Sequence, residues 1–330
     1  MYTSSMKRTS GDTAATTVAT ADSPVFVYAG LWFTVFNWGA AFVAARFLLH
    51  PASTQLVALS PLLLAAVLIC IASLFFAFPL GRALVKRQLT RRDLLLMVLL
   101  GQMAFSLYFW MQYTGVQQTS ASLASILVIG LIPICTALLG PAFRTERLTL
   151  SLVGALLPGF AGVVLIVLQQ PLTIRLQSGF VPGVLCLLAN ACSFSLYSHL
   201  IKRSLRVISP AVLTGGMMVS GALGLILLTL LDPGHNRWRD VVLLNGTQWA
   251  ALLFLAVVCS VLSYFAYNRA LRTLSAARVT VYLYFEPVVA VLLGVILLDE
   301  QFTWQMLLGT LAIAGSVLLV NTRKKAEQAT

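Results

Sequence analysis

The sequence predicts an all-α, polytopic membrane protein of ten transmembrane helices, built from two inverted five-helix repeats. Three observations predict it: an apolar composition, a one-sided distribution of basic residues, and self-similarity at an offset near half the chain. Of 330 residues, 59% are hydrophobic and 10% charged, and the mean hydropathy is +0.91. An average soluble domain carries about 25% charged residues, because charge covers the outside of a water-soluble fold. A membrane-crossing helix needs about 20 apolar residues. Ten crossings therefore leave only short loops and tails, which excludes a large extramembrane catalytic domain.

Taken in order, residues 1–23 are polar, rich in Ser, Thr and Ala, and are expected to form a disordered tail. They lack the apolar core of a signal peptide, so the first hydrophobic helix is expected to stay in the protein. The apolar spans follow at 25–49, 56–79, 94–112, 121–143, 149–168, 180–201, 210–231, 248–270, 276–298 and 304–320. His50-Pro51, Gly81-Arg82, Gln170-Pro171, Ser209-Pro210 and Asp232-Pro233-Gly234 punctuate them as loops. The connection 232–247 holds an apolar run, Val241–Leu244, too short to span. The expected organisation is a first repeat over 24–168, a second over 180–320, and a basic cytoplasmic tail over 321–330.

Orientation follows from Lys and Arg, which accumulate on the cytoplasmic side. With the N-terminus inside, alternate segments hold Lys7, Arg8, Arg82, Lys86, Arg87, Arg91, Arg92, Arg144, Arg147, Lys202, Arg203, Arg206, Arg269, Arg272, Arg278, Arg323, Lys324 and Lys325. Only Arg46, Arg175, Arg237 and Arg239 fall outside. That is 18 of 22 basic residues on one side, and one missing helix would invert every later loop. Both termini are therefore expected in the cytoplasm. The net charge of +12 has the same origin and does not imply nucleic acid binding.

Displacing the chain on itself by 154 residues aligns Ser106 with Ser260, Tyr113 with Tyr267, Thr119 with Thr273 and Pro133 with Pro287. It also aligns Leu138-Leu139-Gly140 with Leu292-Leu293-Gly294, Glu146 with Glu300 and Thr149 with Thr303. At an offset of 153, Gly30 meets Gly183 and Asn37 meets Asn190. Leucine matches are cheap in such a chain; Pro, Gly, Glu and Tyr matches at one offset are not. A duplicated five-helix unit has an odd number of crossings, so its copies must be inverted. Inverted repeats are an architecture of secondary transporters, with the substrate at the repeat interface.

The five cysteines (Cys70, Cys135, Cys186, Cys192 and Cys259) all lie in apolar stretches without metal-like spacing, and the three histidines are scattered. No metal site and no cofactor are expected.

The stretch Ala277–Gly315 resembles the EamA module of the drug/metabolite transporter superfamily, in its Glu286-Pro287 pair, its G-x-x-x-L-D-E run from Gly294 to Glu300 and the glycine spacing that follows. Thr119–Gly162 is a weaker copy that keeps Pro133, Gly140 and Glu146 but has Ile132 where the second has Glu286. The resemblance covers residues 25–320. It implies ten helices, a central cavity lined mainly by helices 1, 3, 4, 6, 8 and 9, alternating access, and helices 5 and 10 on the outside. Members carry amino acids and other small metabolites, often outward.

The candidate substrate-binding residues are Asn37, Trp38, Trp110, Tyr113, Asn190, Tyr197, Tyr264, Tyr282 and Glu286. Glu286 is the only acidic residue well inside a span, and an ionised carboxylate there must face a cavity, a partner or water. It is read either as a contact for a substrate amine or coupling proton, or as a ligand of backbone groups freed by Pro287. Asn37 and Asn190 are buried amides that serve a polar substrate or bind helices together. Aromatic walls with polar tips suit a small amphipathic solute. Pro133 and Pro287 are expected mid-span, as a symmetric pair of bends for gating. Arg46 is expected to snorkel from the outer end of helix 1.

The function expected is export of amino acids or similar small amphipathic metabolites across the inner or plasma membrane. The alternative is a multidrug exporter of lipophilic cations, since Glu286 and aromatics suit a cation. An organic phosphate would need fixed cations, and no lysine lies inside a span. An intramembrane enzyme lacks its cluster of polar residues, and a scaffold or sensor lacks an output domain. The partners expected are a small-molecule substrate and the bilayer, with no nucleic acid; a monomer is compatible with this organisation.

Overall fold

The structure is a computed structural model that describes residues 24–51, 53, 55–87, 89–139, 142–143, 150–168, 178–204, 208–232, 234–235, 237–273, 282–283 and 285–329. The expected tail 1–23 and the charged residues Arg144, Glu146, Arg147, Arg175 and Arg278 lie outside them. Among the described residues the regular structure is helical throughout. The long helices are α1 (Pro24–Leu49), α2 (Pro61–Val85), α3 (Arg91–Gln118), α4 (Ala121–Leu139), α5 (Leu150–Leu168), α6 (Phe180–Ser204) and α7 (Pro210–Leu231). After a single turn at Arg239–Val242, α8 runs through Gly246–Leu253, Phe254–Leu262 and Ser263–Thr273. Then come α9 (Glu286–Leu298) and α10 (Trp304–Ala329).

Among the described residues, six helices are long and apolar enough to cross a membrane: α1, α2, α3, α7, the first 18 residues of α6, and α8 over Gly246–Tyr267. Shorter apolar helices lie in α4, α5 and α9. Lipid-facing apolar side chains are expected of such helices, and Phe78, Val85, Phe26 and Leu74 are each more than 70% exposed.

Local chemistry sets several boundaries. Ser60 caps α2 by accepting from the Leu63 amide, with Pro61 in the first turn where its missing N–H costs nothing. The expected start at 56 therefore moves to Pro61. The helix continues through Pro79 to Val85, so Gly81-Arg82, expected as a loop, is helical. Thr90 and Asp93 form a reciprocal capping box at the start of α3, and Asn245 with Gln248 does the same for α8. α10 continues to Ala329, where a tail was expected from 321.

Two helices change their winding inside the bundle. α3 is π-helical over Gln102–Leu107 and α8 over Phe254–Leu262. A displacement of 154 carries the first segment into the second. A π turn strips carbonyls of their usual partners, and side chains from neighbouring helices replace them. Ser193 and Asn190 of α6 donate to the carbonyls of Met103 (3.2 Å) and Tyr108 (2.7 Å) in α3. Trp38 and Thr34 of α1 donate to the carbonyls of Cys259 (2.9 Å) and Ser263 (3.2 Å) in α8. Thus α1 serves α8 as α6 serves α3.

Packing follows the same pairing. α1 lies against α8 and α9, α6 against α3 and α4, α2 against α7, and α5 against α10. Small residues allow close approach. A Cβ at Gly39 of α1 would lie 2.7 Å from the Glu286 carbonyl and 2.7 Å from Val289 Cβ in α9. Gly39→Ala is therefore expected to push α9 off α1 and cost about 1–3 kcal/mol, read as a lowered Tm of the purified protein.

Candidate functional site

The first polar feature is Glu286. It is buried (2% exposed) and stands at the start of α9, with Phe285 as N-cap and Pro287 in the first turn. A helix N-terminus carries partial positive charge that favours a carboxylate. One carboxylate oxygen, Oε1, has no hydrogen-bond partner among the described residues. The phenols of Tyr108, Tyr264 and Tyr267 lie within its electrostatic range.

Aromatic rings extend from this carboxylate across four helices. Trp38 of α1 packs on Tyr264 and Tyr267 of α8, with centroids 5.2 Å apart in both pairs. Tyr108 packs on Phe194 at 5.6 Å, and Phe194 on Tyr197 of α6 at 5.9 Å. Phe109 of α3 joins Tyr108 to Tyr113 at 5.1 and 5.6 Å. These tilted and edge-on arrangements suit the quadrupoles of the rings. The rings form two groups, Trp38 with Tyr264 and Tyr267 on α1 and α8, and Tyr108, Phe109, Tyr113, Phe194 and Tyr197 on α3 and α6.

The two asparagines have different surroundings. Asn37 Nδ2 donates to the Phe33 carbonyl of its own helix at 2.7 Å. Asn190 spends its Nδ2 on the Tyr108 carbonyl, and its Oδ1 is buried without a partner among the described residues. Neither donates to Glu286 in any hydrogen bond among the described residues; their amide groups bond helix carbonyls instead.

Of the candidate residues, the structure brings Trp38, Tyr113, Tyr197, Tyr264 and Glu286 into this cluster, with Asn37 and Asn190 at its edges. Trp110 is 41% exposed and makes none of the ring contacts of this cluster among the described residues. Tyr282 packs instead on Tyr28 at 5.9 Å and Trp32 at 5.4 Å, toward the start of α1. Pro287 is not mid-helix, because α9 begins at Glu286 and Phe285 is a turn residue. It opens a helix where a proline is favoured rather than bending one. Pro133 lies within α4, and its side chain is outside the described set. Tyr108, Phe194 and Tyr267 are additions. Tyr267 was detectable as the repeat partner of Tyr113; Phe194 had no signal beyond being aromatic.

Arg46 does more than snorkel. Its guanidinium donates to the Val116 carbonyl at 2.9 Å and to the Gln117 carbonyl, at the C-terminal end of α3. Glu300 accepts from the amides of Ala121 (2.7 Å) and Ser122 (3.0 Å) at the start of α4. All five cysteines are free thiols; Cys135 and Cys192 bring α4 and α6 together with sulfurs 3.3 Å apart. Among the described residues no group of three metal-binding side chains occurs.

Helices of this length and apolarity, with a buried polar site between them, define a multi-pass membrane protein. The EamA-like transporter family matches residues 24–168 and 181–322, and the chain belongs to that family. It is 28% identical over 291 residues to an uncharacterized transporter of Archaeoglobus fulgidus, covering 88% of this chain and 97% of the relative. It is 29% identical over 293 residues to a probable terminal-alkyne amino-acid exporter of Streptantibioticus cattleyicolor, covering 88% and 91%. A solved crystal structure with 20% sequence identity superposes with a TM-score of 0.58, over 90% of this chain and 98% of the other. That likeness concerns the fold alone.

Proposed function

We propose that the protein is a secondary transporter that exports amino acids or similar small amphipathic metabolites by alternating access. The observation that carries this reading is the buried, incompletely partnered Glu286 at the N-terminus of α9, with tyrosine phenols in its vicinity. Such a site offers a negative acceptor for an ammonium group and apolar walls for a side chain. Phenol hydroxyls can serve as donors to a carboxylate. The name of the Streptantibioticus cattleyicolor relative supports amino-acid export.

In this reading ten helices cross the inner or plasma membrane as two inverted five-helix halves, 24–168 and 180–320. The matched position of the two π segments and the exchange of helices between halves support it. Both termini face the cytoplasm, in accord with the basic residues. A reporter fused after Thr330 and one inserted near Asn236 are expected to report opposite sides; a shared side refutes the helix count.

The decisive test is uptake of a labelled amino-acid panel by proteoliposomes, with and without a pH gradient. Accumulation of at least one amino acid is expected. A second reading, export of lipophilic cations, is favoured by the lack of any described basic partner for Glu286. It predicts that an aromatic ammonium without a carboxylate is carried in preference to every amino acid of the panel.

A further inference from the structure

The turn between α3 and α4 is gripped from both sides by opposite charges. α3 ends at Gln118 and α4 begins at Ala121, so two helix ends with unpaired backbone groups meet there. At the end of α3, Thr119 bonds the Gly115 carbonyl through both its amide (3.0 Å) and its hydroxyl (2.6 Å). Arg46 takes the next two carbonyls, Val116 and Gln117. At the start of α4, the Glu300 carboxylate takes the amides of Ala121 and Ser122, and the Ser120 hydroxyl takes that of Leu123 at 3.1 Å. The cation sits at a negative helix end and the anion at a positive one, the favourable sense for both dipoles.

Both charges come from the same side of the site. Arg46 is on α1, and Glu300 follows α9; these helices pack together, α1 also packs on α8, and α9 reaches across to α4. The turn they hold joins α3 and α4, which pack on α6. The grip therefore crosses the seam that contains Glu286 and the rings. The run from Gly294 to Glu300 is shaped for it. Asp299 adopts a left-handed conformation (φ 52°) that ends α9 and turns the chain back, and the Glu300 amide returns to the Gly294 carbonyl at 3.1 Å. A Cβ at Gly294 would lie 2.8 Å from the Glu300 carboxylate and 2.9 Å from the Ser122 hydroxyl. A side chain at this position would crowd the ends of both groups where they meet at α4.

We propose that Arg46 and Glu300 are positioning residues that clamp the site shut toward one membrane face, the outer one in the orientation above, and that release of this clamp opens the site to that face. The inference rests on the reading of the protein as an alternating-access transporter. Neither residue touches cargo. They act through the ends of α3 and α4, so loss of either charge shifts the balance between closed and open states of the outer face.

The test uses the full chain in lipid nanodiscs, with spin labels carried on non-natural residues so that the native cysteines remain. One pair, Ser178 and Gln301, reports the outer separation; another, Val25 and Leu138, reports the opposite end. In Glu300→Gln the open-to-closed ratio of the outer pair is expected to rise by about tenfold, while the opposite pair closes. Amide exchange at Ala121 and Ser122 should accelerate in the same variant. Arg46→Gln is expected to open the outer pair in the same direction, and it carries the test if Glu300→Gln is not recovered folded. Faster exchange with both distances unchanged would reduce Glu300 to a local cap and overturn the clamp. Unchanged exchange would overturn it too. If the distances shift as expected but the wild-type protein carries none of the amino acids or ammonium ions offered, the clamp stands and the assigned cargo fails.

Discussion

Glu286→Gln is expected to lower transport by about tenfold or more while leaving folded protein in the membrane. Gln keeps the shape and one acceptor oxygen but removes the charge. A charge-assisted hydrogen bond contributes about 1.5–3 kcal/mol, and each 1.4 kcal/mol corresponds to a factor of about ten. A purely structural role predicts the opposite result, because Gln can still accept from backbone amides at the start of α9. The measurement is initial transport rate in proteoliposomes from mildly acid to mildly alkaline pH, normalised to folded protein. If Glu286 ionises during the cycle, the variant loses the pH dependence of the wild type. An unchanged rate and an unchanged profile remove Glu286 from the mechanism.

Two loop histidines need controls in that experiment. His50 lies beside Arg46, whose charge holds the imidazole below its ordinary range. His235 is raised by its hydrogen bond to Asp232 (2.9 Å), and Asp232 is correspondingly lowered. The sign for His235 is that its pairing is complete below the unperturbed histidine pKa and is lost as pH rises through the raised value. For Asp232 it is complete above the unperturbed aspartate value and lost as pH falls through the lowered one. Both groups of this pair are fully exposed, where ion pairs contribute little. His235→Ala is therefore expected to leave the rate and the pH profile of transport unchanged.

The second large effect is expected at Trp38. The indole packs on two tyrosines of α8 and its Nε1–H donates to the Cys259 carbonyl inside the π segment. Trp38→Ala removes the ring and leaves that carbonyl without its described donor. Large-to-small aromatic changes cost about 3–5 kcal/mol when the site cannot collapse, so a strongly lowered Tm is expected together with lost transport. Trp38→Phe separates the two contributions: it keeps most of the ring but not the donor. A stability loss of about 1–3 kcal/mol is expected from the unpaired carbonyl, with transport reduced rather than abolished. A Phe variant indistinguishable from wild type would show that the bond to Cys259 is dispensable.

The linear order of residues determined the class of this protein. Apolar runs, six of them seen among the described residues as helices long enough to cross a bilayer, fix where backbone must be helical, because lipid offers no partner for an exposed peptide group. The offset of 154 that aligned Tyr113 with Tyr267 also aligns the two π segments, a correspondence invisible as winding but present as duplication. Glu286 stood out because a carboxylate in an apolar run is costly wherever it points. Facing, by contrast, was not legible. Trp110 and Tyr113 lie three residues apart in one apolar run and look alike in the sequence, yet one is exposed and the other buried in the cluster. The start of α9 was equally hidden: Glu286-Pro287 within an apolar run suits a bend as well as a first turn, and only the turn at Phe285 puts Pro287 at the head of α9. The grip of Arg46 and Glu300 on the α3–α4 turn joins residues 70 to 179 positions apart in the chain, through backbone groups that every residue carries. Such bonds leave no pattern of side chains to read, and only the packing of helices against one another decides which backbone ends the two charges meet.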